Sequence, residues 1–306
     1  MTKLAEEVTD IAAKQADIVA LYRQYAVVTE DGIKFSVGGY QARSASALVI
    51  DIETAEVLAM VNGPSYNPNN RKNTGAHRIR NRVVTDAFEP GSSVKPLAVL
   101  SALEFGSVNK DSVIDTHPGW MRLGGSRISD PRNLGELDLQ TIIQQSSNMG
   151  TSKLALSVPK EFLLDTYYNI GLMSDTGMSL LGESSGLFHE RSRWSDFELA
   201  TLSFGYGISV TTAQLARMYT TLGNSGLHRE LSIIKNQEIK PAEQIFSPEN
   251  TQAVLEMMES VTQKDGSGRK AAVKGYRIAG KTGTSRKAIA GGYGDDYVNI
   301  FAGIAP

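Results

Sequence analysis

An apolar run over residues 97–105 follows the turn-forming pair Pro90-Gly91 and ends before Gly106. Its length and its lack of a polar face predict a helix that is buried on all sides. This interpretation places Ser92 at the N-terminal end of the helix and Lys95 one turn further on. Residues three apart share a helix face, so the Lys95 amine is expected beside the Ser92 hydroxyl.

Apolar residues recur at helical spacing in several further segments, and polar cap residues precede two of them. Asp138 is the predicted cap of the helix that starts at Leu139, and Ser247 is the predicted cap of the helix that starts at Pro248. The helices predicted besides the buried one are 2–26, 139–143, 149–158, 160–173, 195–223 and 248–261.

Short strands are predicted near both ends of the chain. Residues 27–37 form a hairpin pattern around Glu30-Asp31-Gly32, and 45–61 form a second one. Residues 277–284 and 297–304 are predicted strands on either side of a glycine-rich loop at 288–296. Strands, a helical middle and strands again predict an α+β fold, with one antiparallel sheet built from both chain ends and a helical subdomain between.

Composition narrows the class of protein. The chain has 306 residues, a net charge of -2, no cysteine and four scattered histidines. A nucleic-acid surface, a disulfide framework and a metal site are therefore not expected, and no cofactor is implied. No apolar run approaches the roughly 20 residues of a membrane helix, so the chain is expected to be soluble.

Three short motifs carry candidate chemistry, in the order Ser92-x-x-Lys95, Ser146-x-Asn148 and Lys281-Thr282-Gly283. The first two are weak alone, since Ser-x-x-Lys also occurs at Ser107 and Ser-x-Asn at the same serine. Lys-Thr-Gly occurs once. The three in order, at a helix start, an interhelical turn and a strand, form a specific combination.

The residue types suit acyl transfer. Ser92 would be the nucleophile and Lys95 its base, which requires that burial and a nearby positive charge lower the pKa of Lys95. Lys281 would supply that charge, and Ser146 would relay protons to the leaving group.

The remaining residues suit binding of a peptide-like substrate. The Asn148 amide would bind the substrate side chain, and Gly283 would leave room for the substrate backbone against the strand edge. The hydroxyls of Thr282 and Thr284 would hold a substrate carboxylate. The backbone N–H groups of Ser92 and Thr284 would form an oxyanion hole.

The chain resembles the transpeptidase domain of class B penicillin-binding proteins, and most of all the division-specific, septal type. The resemblance runs from about residue 45 to 306. Besides the three motifs it rests on these stretches: Ser65-Tyr66-Asn67-Pro68-Asn69, Arg80-Asn81-Arg82, Phe88-Glu89-Pro90-Gly91, Arg193-Trp194-Ser195-Asp196, Ser203-Phe204-Gly205-Tyr206-Gly207 and Ala213-Gln214-Leu215-Ala216.

This resemblance implies a penicillin-binding-protein/β-lactamase-like fold and a peptidoglycan D,D-transpeptidase. Ser92 would be acylated by the penultimate D-alanine of a stem peptide ending in D-Ala-D-Ala, and an amine of a second stem peptide would take the acyl group. β-Lactams would acylate the same serine. Family members work at the periplasmic face of the bacterial inner membrane, with division-complex partners that include a glycan polymerase.

The same resemblance implies parts that the sequence does not show. Full-length members carry a membrane anchor, a pedestal domain, and a further core strand and closing helix after the segment matching 297–306. Residues 1–40, an amphipathic helix and a hairpin, are atypical for the family. The expected division is therefore 1–40 and a C-terminally incomplete transpeptidase domain at 41–306.

Two other functions remain open at this point. A D,D-carboxypeptidase or β-lactamase would use the same acylation but would need a further base for water; Glu183 and Glu190 are candidates, though a surface role suits them better. A non-catalytic β-lactam-binding or division-complex module would have a dead site, against which the intact motifs argue.

Overall fold

The computed structural model of the chain describes residues 27–29, 32–34, 36–37, 40–41, 43–72, 74–188, 193–235, 239–289 and 292–305. The chain divides into two compact units. The smaller contains residues up to Ala47 together with Met60–Val83, and the larger contains Leu48–Ala59 and everything from Val84 onward. All three motifs lie in the larger unit. The domain boundary expected at residue 40 stays a prediction.

The helical elements lie mostly in the middle of the chain, as predicted. A 3-10 turn, Gly91–Val94, directly precedes the third helix. The helices are α1 Ala76–Ile79, α2 Arg82–Thr85, α3 Lys95–Phe105, α4 Leu139–Gln144, α5 Asn148–Leu156, α6 Lys160–Asn169, α7 Asp196–Leu202, α8 Thr212–Gly223 and α9 Pro248–Glu259.

The strands lie before, between and after these helices. They are β1 Val27–Thr29, β2 Gly32–Lys34, β3 Ser36–Val37, β4 Tyr40–Gln41, β5 Ala45–Ile50, β6 Val57–Gly63, β7 Val113–Asp115, β8 Trp120–Leu123, β9 Ser126–Ser129, β10 Glu136–Asp138, β11 Leu187–Phe188, β12 Ile208–Ser209, β13 Leu227–His228, β14 Glu243–Gln244, β15 Ala279–Ile289 and β16 Gly292–Ile304. The predicted hairpins at 27–37 and 45–61 are confirmed as β1–β2 and β5–β6. The helix predicted at 2–26 lies outside the described residues.

The strand pairing differs from the single sheet that the sequence predicts. Among the described residues, β5 pairs with β6 and β15 pairs with β16, and no ladder joins the two hairpins. A sequence pattern identifies strands but does not determine which strands are neighbours, because pairing depends on the tertiary arrangement. The α+β fold class is confirmed, and the two hairpins from opposite ends of the chain are each present as a pair of hydrogen-bonded strands.

The β15–β16 hairpin is longer than predicted. Its antiparallel register pairs Lys281 with Ala302 and Ile289 with Gly292, so the strands extend into the segment 288–296 that was expected to be a loop. An irregularity between Arg286 and Ala288 shifts the register. The Lys-Thr-Gly motif lies in the part of the ladder before this shift, where the register is continuous and restrains its backbone.

The core of the larger unit is organised around α3. Every residue of this helix from Lys95 to Leu103 is buried, which agrees with the apolar run that the sequence shows from Leu97 onward. Helices α4, α5, α6, α8 and α9 contribute the apolar residues that pack in the same cluster as α3. Its fully buried members include Leu97, Leu100, Ile142, Leu154, Leu163, Met218 and Val254.

Side-chain caps fix where several helices begin, and two were predicted. Asp138 accepts a hydrogen bond from the Thr141 N–H at 2.7 Å, and Ser247 accepts one from the Asn250 N–H. Ser195 and Thr211 complete capping boxes at the starts of α7 and α8. The predicted helical stretch 195–223 is therefore two helices with a loop between them. Within the described residues, no helix combines the length and apolar character needed to cross a bilayer.

Candidate active site

Ser92 lies in the 3-10 turn, and Lys95 is the first residue of α3. The sequence predicts Ser92 at the N-terminal end of the helix, and the structure places it in the 3-10 turn that leads directly into that helix. The Lys95 amine donates its hydrogen bonds to the Ser146-x-Asn148 motif and makes none to the Ser92 hydroxyl. Among the described residues the Ser92 hydroxyl has no hydrogen-bond partner, whereas the hydroxyl of its neighbour Ser93 donates to the Pro90 carbonyl at 2.7 Å.

A glycine pair holds the Ser92 turn from one side. Gly91 has a φ of +53° and donates its N–H to the Gly205 carbonyl at 3.2 Å. A Cβ atom on Gly205 would lie 2.2 Å from the Gly91 carbonyl oxygen, so only glycine allows this approach. The first glycine of Phe204-Gly205-Tyr206-Gly207 therefore allows a close backbone contact with the turn that carries Ser92.

Strand β15 holds the turn from the other side. A Cβ atom on Gly283 would lie 2.8 Å from the Pro90 carbonyl oxygen and 3.3 Å from the Ser93 nitrogen. The Ser285 hydroxyl donates to the Glu89 carbonyl at 2.7 Å. Gly283 is predicted to leave room for the substrate backbone. Its lack of a side chain also lets β15 pack directly against the turn that carries Ser92.

Lys95 is fully buried, and its amine faces three oxygens of the Ser146-x-Asn148 motif. It donates to the Ser146 carbonyl, to Ser146 Oγ at 3.2 Å and to Asn148 Oδ1 at 2.8 Å. Burial lowers the pKa of Lys95 well below its ordinary value, and the positive charge of Lys281 lowers it further. The negative charge of Asp130 acts in the opposite direction. Both predicted causes of the shift are present, with burial the larger.

Lys281 approaches the same hydroxyl from β15. Its amine donates to Ser146 Oγ at 2.9 Å and to its neighbouring Thr282 carbonyl at 3.1 Å. Burial lowers the pKa of Lys281 to about 7. Ser146 Oγ thus lies within hydrogen-bonding distance of both amines, which is the position that a proton relay between them would occupy.

Ser146 itself adopts a strained backbone. Its φ of +57° lies in the left-handed region that non-glycine residues rarely adopt. In this conformation both its carbonyl and its hydroxyl face Lys95. The next helix, α5, begins two residues later at Asn148, whose Nδ2 donates to the Ser129 carbonyl at 3.1 Å. The Asn148 amide is therefore fixed at both ends, with one N–H left over for a ligand.

Asp130 is a site residue that sequence reasoning missed. Asp130-Pro131 indicates a loop, and the aspartate lies far from Ser146 in sequence. In the structure it is buried, and its carboxylate accepts from Ser147 Oγ at 2.6 Å, the Asn148 N–H at 2.5 Å and the Met149 N–H at 3.2 Å. No local pattern marks such a residue, because its partners come from another part of the chain.

The two threonines of the Lys281 strand lie nearer the surface. Thr284 is exposed and its hydroxyl donates to Asn299 Oδ1 at 3.3 Å. Thr282 is half-buried and its hydroxyl contacts Ser267 Oγ at 3.2 Å. Weak, long hydrogen bonds of this kind leave both hydroxyls available to a ligand.

Glu89 joins the hairpin tip to the Ser92 turn. Its Oε1 accepts from the Gly207 N–H at 3.0 Å and from the Tyr293 hydroxyl at 3.2 Å, while its Oε2 is buried without a partner among the described residues. The Tyr293 ring meets the Tyr206 ring edge to face, with centroids 5.8 Å apart. The glycine-rich segment that contains Tyr293 is therefore tied to the residue two positions before Gly91.

The geometry supports chemistry by a serine and two amines. A hydroxyl without a hydrogen-bond partner among the described residues lies on a turn held by β15, and a buried amine of lowered pKa begins the adjoining helix. Glu183, one of the possible bases for a hydrolase, accepts from the Thr176 N–H at 2.9 Å and its hydroxyl, which fixes a loop. Glu190 lies outside the described residues. Within the described ranges, no group of three acidic, histidine or cysteine side chains is placed to hold a metal ion.

Comparison with protein families gives one match that covers most of the chain. The penicillin binding protein transpeptidase domain matches residues 45–306. Among curated proteins, the chain is 46% identical over 308 residues to the peptidoglycan D,D-transpeptidase FtsI of Escherichia coli (strain K12), covering 99% of this chain and 52% of that protein. It is 36% identical over 290 residues to the probable peptidoglycan D,D-transpeptidase PenA of Neisseria gonorrhoeae, covering 94% of this chain and 50% of that protein.

A solved structure gives the same result at the level of the fold. The apo structure of the TP domain from Burkholderia pseudomallei penicillin-binding protein 3 superposes with a TM-score of 0.78 at 36% identity, over 87% of this chain and 76% of that one. The chain spans about half the length of the curated relatives it matches.

Proposed function

The chain belongs to the penicillin-binding protein transpeptidase family, and from that membership we propose that it is a serine D,D-transpeptidase that cross-links peptidoglycan stem peptides and is acylated by β-lactams. The observation that carries the proposal is the shared contact of Lys95 and Lys281 with Ser146 Oγ, at 3.2 and 2.9 Å, beside the Ser92 turn.

In the first half-reaction, Ser92 Oγ attacks the carbonyl carbon of the penultimate D-alanine while neutral Lys95 takes its proton. The lowered pKa of Lys95 supports this role, because an ordinary lysine would be charged at neutral pH. The N–H groups of Ser92 and Thr284 stabilise the oxyanion. The tetrahedral intermediate collapses by breaking the peptide bond, and the leaving D-alanine amine takes up a proton through Ser146.

In the second half-reaction, an amine of a neighbouring stem peptide attacks the acyl-enzyme ester. The new amide bond forms and the Ser92–acyl bond breaks, while the proton lost by the attacking amine passes to the lysine–serine network, which returns a proton to Ser92 Oγ. Asn148, Thr282 and Thr284 bind the donor peptide, the two threonines through its terminal carboxylate. Gly283 contributes by keeping β15 against the Ser92 turn.

We also propose the septal setting, with division-complex partners that include a glycan polymerase, at the periplasmic face of the inner membrane. Its support is the resemblance to the division-specific type and the 46% identity to a protein named peptidoglycan D,D-transpeptidase FtsI. Binding of purified division proteins to the chain, with and without a β-lactam on Ser92, tests this part separately.

The test of the chemistry is intact-protein mass spectrometry after incubation with benzylpenicillin. Ser92→Ala is compared with Ser93→Ala, a matched control in the same turn whose hydroxyl is held by Pro90. A stable adduct of one drug molecule on the parent and on Ser93→Ala, but not on Ser92→Ala, supports the proposal. An adduct that disappears while penicillin is consumed indicates a hydrolase. Absence of an adduct with the drug intact indicates a non-catalytic module.

Cross-linking itself needs a second assay. The chain is given a peptide ending in D-Ala-D-Ala together with an amine acceptor, and the products are separated by mass. Transpeptidation predicts a product that joins donor and acceptor with loss of one D-alanine. A product that has only lost D-alanine would instead indicate a carboxypeptidase.

A further inference from the structure

Asp130 contacts none of the residues that the proposed mechanism uses for bond making, yet it holds the motif that faces Lys95. It lies just after β9, and its carboxylate receives three hydrogen bonds from the start of α5. One oxygen is bound to the Ser147 hydroxyl. The other is bound to the N–H groups of Asn148 and Met149.

These contacts restrain the backbone on the C-terminal side of Ser146. Ser147 also caps α5, because its Oγ accepts from the Gly150 N–H at 2.8 Å. Its hydroxyl therefore links Asp130 to the first turn of the helix. A carboxylate beside a helix N-terminus is favourably placed for the exposed N–H groups and the helix dipole.

The backbone conformation of Ser146 requires such a restraint. A φ of +57° persists only where the surroundings impose it, and this conformation directs two Ser146 oxygens to Lys95. Asn148 is likewise held by Asp130 through its N–H and by Ser129 through its side chain. Its Oδ1 is thereby directed at the Lys95 amine.

Asp130 also brings a negative charge to this part of the site. The charged groups that act on Lys95 are Lys281 from β15 and Asp130 from the loop after β9. They act in opposite directions, since Lys281 disfavours and Asp130 favours the protonated amine.

We propose that Asp130 is a positioning residue of the transacylation site, which fixes the Ser146-Ser147-Asn148 turn and places a negative charge next to the motif that faces Lys95. This inference rests on the proposed function for its kinetic consequence. Its two components separate experimentally, because position and charge respond to different substitutions.

Asp130→Asn keeps the size of the side chain and removes its charge. The second-order rate of acylation by a chromogenic β-lactam is measured across pH in this variant and in the parent. We expect the plateau rate to fall about tenfold or more, because the turn is held less well. We also expect the acid limb of the profile to move down by about half a pH unit or more, since Lys95 loses a stabilising negative charge.

Ser147→Ala and Asp130→Glu provide the complementary changes. Both leave the negative charge in place, so each should lower the plateau and leave the acid limb where it is in the parent. Asp138→Asn is the matched control, because Asp138 is an exposed carboxylate cap on the adjacent helix α4. Asp138→Asn should change neither the plateau rate of acylation nor the pH of the acid limb.

A direct titration separates this inference from the proposed function. The Lys95 signal of the 13C-lysine-labelled chain, assigned with Lys95→Met, should titrate at lower pH in Asp130→Asn, whether or not the chain reacts with β-lactams. Missing acylation in the parent with this shift present would overturn the proposed function alone. An unmoved Lys95 titration, or an Asp130→Asn profile equal to that of the parent or of Asp138→Asn, would overturn the role of Asp130. If Asp130→Asn does not fold, Ser147→Ala provides the test. A plateau acylation rate of Ser147→Ala within twofold of that of the parent would overturn the role of Asp130.

Discussion

Gly283 packs against Pro90 so closely that a single added carbon would lie 2.8 Å from the Pro90 carbonyl oxygen. This contact joins the Lys-Thr-Gly strand to the turn that carries Ser92. Backbone atoms on the far side cannot give way as a flexible side chain can. The spacing between Lys281 and Ser92 therefore depends on the absence of a side chain at residue 283.

Gly283→Ala should push β15 away from the Ser92 turn. We expect a loss of about 1–3 kcal/mol in unfolding free energy from overpacking, and an acylation rate at least about tenfold lower because the reacting groups are displaced. Thermal unfolding and β-lactam acylation measure the two effects. Gly294→Ala is the control on the same hairpin, where the nearest atom to the added carbon would be a side-chain carbon of Ile289 at 3.3 Å. Equal behaviour of the two variants would contradict the packing argument.

Lys95→Met should remove the base and keep the fold. We expect acylation to fall by roughly 10²–10⁴, the usual contribution of a positioned base. The chain should still fold, because removing a buried amine relieves its desolvation cost and so offsets the loss of its hydrogen bonds to Ser146 and Asn148. Lys153→Met, which changes a lysine on α5 that contacts the Asp115 carbonyl, serves as the control. Acylation of Lys95→Met at the parental rate would eliminate the lysine-base mechanism.

The stability of the fold should depend on pH through Lys281. Its pKa falls from 10.5 to about 7 in the folded chain, so between these values the unfolded chain binds more protons than the folded one. The contribution of Lys281 to the unfolding free energy therefore rises with pH between about 7 and 10.5, by at most about 1.4 kcal/mol per pH unit. This contribution is lowest below pH 7.

The comparison that tests this is the unfolding temperature of the parent and of Lys281→Met from pH 6.5 to 9.5. The unfolding temperature of the parent should rise relative to that of Lys281→Met as the pH increases. Lys274→Met, a change at an exposed lysine, should show a difference from the parent that does not vary with pH. A constant difference for Lys281→Met as well would mean that the lysine keeps its ordinary pKa in the fold.

Tyr293→Phe should loosen the tip of the β15–β16 hairpin. The phenol is one of two donors to Glu89 Oε1, and the other oxygen of that carboxylate has no partner among the described residues. Losing this bond should cost about 1 kcal/mol. Hydrogen exchange of residues 292–297 should become faster, while Tyr276→Phe, at another exposed tyrosine, leaves it unchanged. Unchanged exchange in Tyr293→Phe would show that Glu89 does not hold the tip.

The three motifs can be identified from the sequence because each is a short pattern of chemically distinctive residues on a predictable element. Their residue types also predict that Ser146 and Lys281 belong to one network with Lys95, and Ser146 Oγ does contact both amines. Helix starts at Asp138 and Ser247 are predictable because capping is a local interaction.

The features of the site that could not be predicted from the sequence depend on long-range packing. Asp130 reaches the Ser147 hydroxyl across a separation of 17 residues, and Gly283 touches a turn nearly two hundred residues earlier. The 3-10 geometry at Ser92 also escaped prediction, since Gly91 is shaped by its contacts with Gly205 and Thr284.

The contact between Gly91 and Gly205 limits how this site can change under selection. Any side chain at residue 205 would collide with the backbone of residue 91, and one at residue 91 would meet the Thr284 carbonyl at 3.0 Å in a backbone conformation that favours glycine. The structure therefore does not tolerate single substitutions at either of these two positions. Variants that alter the reactivity of Ser92 and remain folded should arise at residues around the turn, and a mutational library should be directed there.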